Sequence, residues 1–235
     1  MIASVDGAAQ ADGRAGGLSA PADERLFALL RAHADVLLVG ASTVRAEHYG
    51  GARPTPAARA WRLDHGLSDA PVIAVVTANC AFDPAGRLFT DTVVRPLVLT
   101  CHSAPPERVT ALSAVADVVM AGDRSVDIAA ALDVLAGRGL RRVSCEGGPT
   151  LLAQVTAAGR LDELSLTISP LLLAGAALRI LAGPPLTVPA RLQLAHVLED
   201  DGYLFLRYLR DARLDSPQER AGDVGSPPPS SIEAQ

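Results

Sequence analysis

The chain contains no lysine: all 21 basic residues among its 235 are arginine. This absence excludes enzymes that form a Schiff base on a lysine and enzymes that hold a nucleotide with a P-loop lysine. Aromatic residues make up only 3% of the chain, and the formal net charge is −5. We therefore expect no nucleic-acid partner, because neither a stacking platform for bases nor a basic surface for phosphates is available.

Cysteine is also scarce, with three residues at Cys80, Cys101 and Cys145. An odd number without a CxxC motif predicts neither a disulfide framework nor a zinc knot, and it favours a reducing cytoplasm. The five histidines show no metal-ligand spacing, so we expect no metal. Asp6 ends the first apolar residues, which argues against a signal peptide. The longest apolar stretch, residues 164–182, is broken by proline, glycine and arginine, so a membrane span is not expected.

Strand and helix signals alternate along most of the chain. They predict one α/β domain whose largely parallel sheet of about eight or nine strands is flanked by helices and ends in an antiparallel hairpin. The hairpin is indicated by Asp201-Gly202 between two strand-like segments. The predicted strands cover residues 1–4, 36–39, 71–77, 96–100, 117–120, 141–145, 164–169, 192–198 and 203–209.

Two regions are predicted to lack regular structure. Residues 50–69 carry five prolines or glycines and are interpreted as a long loop. After the predicted domain, residues 1–210, the composition becomes polar and rich in proline and serine. Residues 211–235 are therefore predicted to be a disordered tail.

The most informative segment is 143–150, where a predicted buried strand runs through Glu146, Gly147 and Gly148 into a helix. Glycines let the backbone approach a ligand closely, and the start of the helix offers free N–H groups to a phosphate. Glu146 stands at the carboxyl end of its strand, where open α/β sheets bind ligands. The alternative is an ordinary tight turn with Glu146 on the surface. The segment is not a GxGxxG motif, which disfavours an ordinary Rossmann dehydrogenase.

Two further segments have a similar character. Residues 39–47 run from a strand into a helix on which Thr43 and Glu47 lie four residues apart, on one face. Alternatively, Ser42 or Thr43 only caps this helix and Glu47 is solvated. Asp6-Gly7 follows the first strand, either as a plain turn or as the start of a glycine-rich loop that folds over a ligand.

Together these segments resemble the RibD C-terminal, or pyrimidine reductase, family of bacterial riboflavin biosynthesis. The resemblance covers about residues 1–209, in the family's order. It is carried by Ser4-Val5-Asp6-Gly7, Gly40-Ala41-Ser42-Thr43-Val44-Arg45-Ala46-Glu47, Glu146-Gly147-Gly148, Leu161-Asp162-Glu163-Leu164 and Ser169-Pro170-Leu171-Leu172-Leu173-Ala174-Gly175.

The resemblance implies a dihydrofolate-reductase-like fold and NADPH-dependent reduction of 5-amino-6-(5-phosphoribosylamino)uracil, which opens the ribose to a ribityl chain. It also implies a homodimer, for which the apolar segments 164–173 and 204–209 could supply the interface. The bifunctional relatives carry a zinc deaminase with HxE and PCxxC motifs, and the chain has neither, so deamination is not expected.

The resemblance also implies roles for particular residues. Glu146 and Glu47 are the implied catalytic residues, and Arg31, Arg53 and Glu146 are implied to bind substrate. The implied cofactor-binding residues are Thr43, Glu47, Thr77, Gly147, Gly148, Pro149, Thr150, Leu151 and Leu152. The residue that reads the 2′-phosphate stays unassigned, and the loops 77–79 and 100–103 are its candidate locations.

The chain departs from the family at three points. Glu47 stands where the family often has aspartate, and Ala15 and Gly17 stand where some relatives have polar groups that touch substrate. Relatives also have more of the first strand before Ser4, so we expect the native protein to begin before Met1, which an intact-mass measurement would test.

Three functions stay open at this point: the riboflavin-pathway reductase, a related NADPH reductase of another pyrimidine or pteridine, and a non-catalytic nucleotide-binding protein. The second is kept open by Ala15 and Gly17, since one fold hosts several substrates.

Overall fold

The computed structural model describes residues 1–211, which form two β-sheets with helices packed between and around them. The helices are α1 (Pro21–His33), α2 (Ala41–Ala46), α3 (Pro56–Asp64), α4 (Arg87–Thr90), α5 (Pro106–Ser113), α6 (Ile128–Gly137) and α7 (Pro149–Ala157), with a 3₁₀ turn at Ala15–Leu18. The strands are β1 (Ile2–Ser4), β2 (Val36–Gly40), β3 (Val72–Val76), β4 (Leu97–Thr100), β5 (Asp117–Met120), β6 (Val143–Cys145), β7 (Glu163–Ser169), β8 (Leu192–Asp200) and β9 (Tyr203–Arg210).

The larger sheet has five strands in the order β5-β4-β3-β2-β6, and every pair is parallel. Its central strands are continuous apolar runs because helices cover both faces. Leu37, Val39 and Val75 point into one core, and Val36 and Leu38 point into the other. The two cores are opposite faces of one sheet, so the predicted α/β class with a mostly parallel, helix-flanked sheet is confirmed. The single domain over residues 1–210 remains a prediction.

The smaller sheet has the order β1-β7-β9-β8. Strand β1 runs parallel to β7, whereas β9 is antiparallel to both of its neighbours. The predicted hairpin is confirmed: Asp201 and Gly202 both have positive φ, at 51° and 78°, as a two-residue turn matching the strand twist requires.

The nine strands of residues 1–211 form two sheets rather than the one sheet predicted. Strand β6 has only three residues and, in the described part of the chain, forms a ladder with β2 alone. Its other edge faces a cleft, which is also lined by Met1 and Ile2 at the start of β1. The division of the sheet therefore opens the cleft that contains the candidate site.

The prediction of a loop over residues 50–69 is wrong, because it contains helix α3. Thr55 caps this helix by accepting a hydrogen bond from the Ala58 amide, and Pro56 occupies its first turn. The breakers that suggested a loop lie at the ends of the helix and not inside it. Helix α3 also buries Arg62 completely, and its guanidinium donates to the carbonyl oxygens of Ala32 and Ala34 at the end of α1, at 2.9 and 2.6 Å.

No helix within residues 1–211 is long and apolar enough to cross a membrane. Apart from Asp211, the predicted tail lies outside the described residues, so its disorder and the domain boundary at residue 210 remain predictions.

Candidate active site

A cleft of about 1470 Å³ runs along the whole length of β6 and is also lined by the ends of β2 and β3 and by the start of β1. Protein ligand pockets measure about 300–1,000 Å³, so this cleft has room for more than one ligand. It is lined by helix α1, the start of α7, the 3₁₀ turn and the loop that follows β3. The carboxyl ends of the parallel strands β2, β3 and β6 lie in one part of this cleft, where open α/β sheets bind ligands.

The Glu146-Gly147-Gly148 turn joins β6 to α7 and is fixed to the neighbouring strand β2. The Glu146 amide donates to the Leu38 carbonyl at 2.9 Å, and the Gly40 amide donates to the Gly147 carbonyl at 2.7 Å. Gly147 has φ +84°, which favours glycine, and the Gly147–Gly148 peptide bond is cis. Gly148 is required for a different reason: a Cβ atom there would lie 2.8 Å from the Thr43 hydroxyl oxygen.

Helix α7 begins directly after this turn, with Gly148 as its N-cap and Pro149 in its first turn. No side chain caps it within the described residues, so its first N–H groups stay available to an anion. Leu151 and Leu152 are buried in the core beneath. Of the predicted cofactor contacts, these two leucines can therefore offer only backbone groups.

The carboxylate of Glu146 is the centre of a hydrogen-bonded network. Its side chain is 2% exposed. Arg31 holds it with two bonds, from Nε to Oε1 at 2.7 Å and from Nη2 to Oε2 at 2.6 Å. The Tyr49 hydroxyl donates to Oε2 at 2.8 Å. A bidentate arginine is the arrangement that best compensates a buried carboxylate.

The surroundings of Arg31 fix its guanidinium in place. Its Cζ atom lies 4.3 Å from the ring centre of Phe27 and 5.6 Å from that of Tyr49. Burial alone would lower the pKa of Arg31, but the bonds to Glu146 and its charge raise it above the usual value. Burial and the charge of Glu146 likewise raise the pKa of Tyr49, so its phenol stays protonated and keeps donating.

Thr43 and Glu47 both line the cleft, on α2 and at its end. Glu47 is half-buried, and its Oε1 atom accepts a hydrogen bond from the Ala15 amide at 3.1 Å. This bond connects the end of α2 to the glycine-rich loop after β1. The sequence indicates either a plain turn or a ligand-covering loop at this position.

Thr77 and Arg53 have different positions. Thr77 is buried where β3 ends, and its hydroxyl accepts from the Cys80 amide at 3.1 Å, so it shapes the cleft-lining loop 77–79. Arg53 is exposed and forms an ion pair with Asp91. It is not among the residues that line the cleft, so the structure does not bring it together with Arg31 and Glu146, and its substrate role remains a prediction.

Tyr49 and Asp23 belong to the site although the sequence patterns did not predict them there. Asp23, in the first turn of α1, lines the cleft and accepts hydrogen bonds from the hydroxyls of Ser19 at 2.6 Å and Thr167 at 2.7 Å. The available signal was spacing: Asp23, Phe27 and Arg31 stand four residues apart and so share one helix face.

The His, Cys, Asp and Glu side chains of the described residues form no candidate metal site. In residues 1–211 no group of three or more His, Cys, Asp or Glu side chains could hold a metal ion. Cys145, beside Glu146, is free, and burial raises the pKa of its thiol to about 11.

Comparison with known proteins gives a consistent picture. The sequence model described as the RibD C-terminal domain matches residues 1–205. The 2,5-diamino-6-ribosylamino-4(3H)-pyrimidinone 5′-phosphate reductase of Methanothermobacter thermautotrophicus is 35% identical over 159 residues, which are 67% of this chain and 69% of that protein. The protein of the same name from Archaeoglobus fulgidus is 30% identical over 158 residues, covering 67% and 72%.

Solved structures agree. A pyrimidine reductase-like protein from Corynebacterium diphtheriae superimposes with a TM-score of 0.81 at 28% identity and covers 89% of each chain. The riboflavin biosynthesis reductase of Saccharomyces cerevisiae shares the fold, with a TM-score of 0.60 at 16% identity over 89% of this chain and 87% of that one.

Proposed function

The chain belongs to the RibD C-terminal domain family of riboflavin-biosynthesis reductases, and we propose that it reduces a ribosylamino-pyrimidine 5′-phosphate with NADPH. The observation that carries the proposal is the Glu146–Arg31 pair beside the Gly147–Gly148 turn, in a cleft large enough for a cofactor and a substrate. The uracil substrate that the family resemblance implies and the pyrimidinone in the relatives' names share the ribosylamino phosphate and differ at C2 of the ring.

The cofactor position is supported by the shape of the Gly147–Gly148 turn. The missing side chain at Gly148 lets α7 begin close to Thr43 on α2, and the uncapped start of α7 suits a pyrophosphate. Thr43, Thr77 and the backbone of residues 149–152 are the further groups assigned to NADPH. Of the two loops proposed to read its 2′-phosphate, 77–79 lines the cleft and 100–103 does not.

The reaction needs an open-chain substrate. The C1′–O4′ bond of the ribose breaks, O4′ takes up a proton and the 6-amino nitrogen loses one, which leaves a C1′=N imine. When bound, NADPH supplies the hydride that reduces this imine, and solvent supplies the proton that the nitrogen takes up. Holding C1′ in the reactive position can lower the barrier by several kcal/mol, which reduces the need for a strong base.

Glu146 is assigned to orienting the substrate and to the proton exchange of ring opening. Its Oε2 atom already accepts two hydrogen bonds, but Oε1 accepts only one, so Oε1 keeps a position for a substrate O–H or N–H. Arg31 uses Nε and Nη2 on Glu146, which leaves the Nη1 donors for an anionic or polar part of the substrate. Glu47 is assigned to positioning at the boundary between cofactor and substrate.

We also propose a homodimer that works in the cytoplasm. Strand β8 is an unpaired sheet edge within the described residues, and Gln193 to Asp200 are all exposed, including Leu194, Val197 and Leu198. Long exposed apolar edges are usually covered by a partner. Leu164, part of the predicted interface, is instead buried in the chain's own core. Sedimentation as a monomer at micromolar concentration would contradict the dimer.

The test is a panel of NADPH oxidation assays. We expect turnover with a phosphoribosylamino-pyrimidine and weaker affinity for NADH than for NADPH. Turnover of dihydrofolate would favour a related pteridine reductase, and cofactor binding without turnover of any compound would favour the non-catalytic alternative.

A further inference from the structure

Six carboxylate side chains line the cleft within residues 1–211, and most of them are already engaged. Glu146 pairs with Arg31, Asp133 with Arg160 and Glu163 with Arg207, while Glu47 accepts from a backbone amide. Asp162 is exposed. Asp23 differs from these in that it is half-buried and a neutral hydroxyl orients each of its two oxygens.

The two hydroxyls orient Asp23 and leave part of its bonding capacity free. Ser19 donates to Oδ2 and Thr167 donates to Oδ1, so each oxygen accepts one bond. A carboxylate has about four acceptor positions, so each oxygen keeps one that these two bonds do not use. The amino group of Met1 adds positive charge nearby, but it donates to the Ser165 carbonyl at 2.9 Å, and burial lowers its pKa.

Two adjacent acceptors match one of the two possible substrate rings. In a 2-amino-4(3H)-pyrimidinone, the N3–H and the 2-amino group present two donors side by side, which a carboxylate can accept as a bidentate pair. In a uracil, the N3–H stands beside the C2 carbonyl, whose oxygen would face a carboxylate oxygen without a proton between them. An unpaired polar contact of this kind discriminates strongly against the wrong substrate.

The position of Asp23 on helix α1 suits such a contact. Asp23 and Arg31 share the cleft-facing side of the helix, and eight residues separate them by about 12 Å along its axis. A ring bound at Asp23 therefore leaves its ribosyl phosphate to extend toward Arg31 and Glu146.

Resting on the proposed function, we infer that Asp23 reads the C2 substituent of the substrate ring and selects the 2-amino pyrimidinone over the corresponding uracil. The chain then acts on a ring that has not yet been deaminated, and the reaction that removes the 2-amino group must follow it.

The test compares kcat/KM for 2,5-diamino-6-ribosylamino-4(3H)-pyrimidinone 5′-phosphate and for 5-amino-6-(5-phosphoribosylamino)uracil. We expect the protein to prefer the diamino compound by about 100-fold, the size of a lost pair of charge-assisted hydrogen bonds. Asp23→Asn should abolish or reverse this preference, because an amide offers one acceptor and one donor, the complement of the uracil edge. Asp162→Asn, which removes a carboxylate from the same cleft, should leave the preference unchanged.

Equal kcat/KM for the two compounds, or an unchanged preference in Asp23→Asn, would overturn the inference. If Asp23→Asn does not fold by circular dichroism, Thr167→Val removes one orienting hydroxyl and should reduce the preference about tenfold. Calorimetric binding of both compounds in the presence of NADP⁺ separates the two proposals. Turnover of neither compound contradicts the proposed function, whereas the ratio of their dissociation constants in wild type and Asp23→Asn still decides the role of Asp23.

Discussion

The two ends of helix α1 each hold a carboxylate at the edge of the same cleft, and they hold it differently. Near the carboxyl end, Arg31 neutralises Glu146 with two hydrogen bonds and Tyr49 adds a third. Near the amino end, Asp23 is oriented by two hydroxyls and by no arginine. A bidentate arginine compensates the first carboxylate, which keeps one acceptor position on Oε1. The second accepts bonds from neutral hydroxyls alone among the described side chains, and it keeps an acceptor position on each oxygen for a ligand or solvent.

The energetic consequences of the two arrangements differ. Glu146 is almost fully buried, so removal of its cation would leave a buried charge without compensation. Asp23 is half-buried and can be solvated when the cleft is empty. Changes at the Arg31 end should therefore affect folding and chemistry together, and changes at the Asp23 end should affect substrate choice alone.

The largest effect is expected for Arg31→Ala. It should lower the free energy of unfolding by about 3 kcal/mol, measured by urea denaturation, because Glu146 loses its partner in a buried position. Arg53→Ala, which breaks the exposed pair with Asp91, is the matched control and should cost less than about 1 kcal/mol. If Arg31→Ala lowers the free energy of unfolding by as little as Arg53→Ala does, the two ends of helix α1 do not differ as described.

Glu146→Gln is expected to lower kcat about 100-fold while NADPH affinity stays nearly unchanged, as for a positioned acid–base group. Steady-state kinetics and fluorescence titration of NADPH measure the two quantities. Asp162→Asn is again the control for loss of a cleft carboxylate. Full kcat in Glu146→Gln would show that its role is structural, like that of many buried pairs.

Gly148→Val tests whether the Glu146 end is also the cofactor end. The new Cβ atom would lie 2.8 Å from the Thr43 hydroxyl, so Thr43 or the start of α7 has to shift. We expect NADPH binding to weaken about 30-fold, because the displaced N–H groups would lose about 2 kcal/mol of hydrogen bonding to the phosphates. Thr43→Ala in the same chain should restore part of it, and Gly137→Ala, where a Cβ meets nothing within 4 Å, should leave it unchanged. Normal NADPH binding by Gly148→Val would place the cofactor elsewhere.

Much of the fold is predictable from the sequence because its signals are local. A few neighbouring residues are enough to predict strands β2, β3 and β4, which are apolar runs, and the hairpin turn at Asp201-Gly202. Helix α3 was missed because Pro54, Pro56 and Gly66 were counted as breakers without regard to their positions at its ends. The separation of the sheets was missed because it depends on how β6 and β1 lie relative to each other, which no single segment encodes.

The candidate site is only partly predictable for the same reason. Glu146, Gly147 and Gly148 are predictable because one short segment shows a glutamate and two glycines between a strand and a helix. The partners of Glu146 come from α1 and from the residues after α2. Those of Asp23 come from Ser19, directly after the 3₁₀ turn, and from β7. The family resemblance implies a substrate-binding role for Arg31. Neither the resemblance nor helical periodicity predicts that Arg31 binds Glu146.

The smallest effect is expected for Tyr49→Phe, which removes one of the three bonds to Glu146. It should lower the free energy of unfolding by about 1 kcal/mol at pH 7, because Arg31 still compensates the charge.

Since the pKa of Tyr49 is raised in the folded protein, the folded state keeps its phenol proton above about pH 10, where an unfolded tyrosine loses it. The contribution of Tyr49 to stability is therefore fully present below pH 10 and falls as the pH rises further. Urea denaturation from pH 8 to pH 10.5 should show a steeper loss for wild type than for Tyr49→Phe, with Tyr208→Phe as the control. Parallel pH profiles for wild type and Tyr49→Phe would mean that Tyr49 is not held by Glu146 in solution.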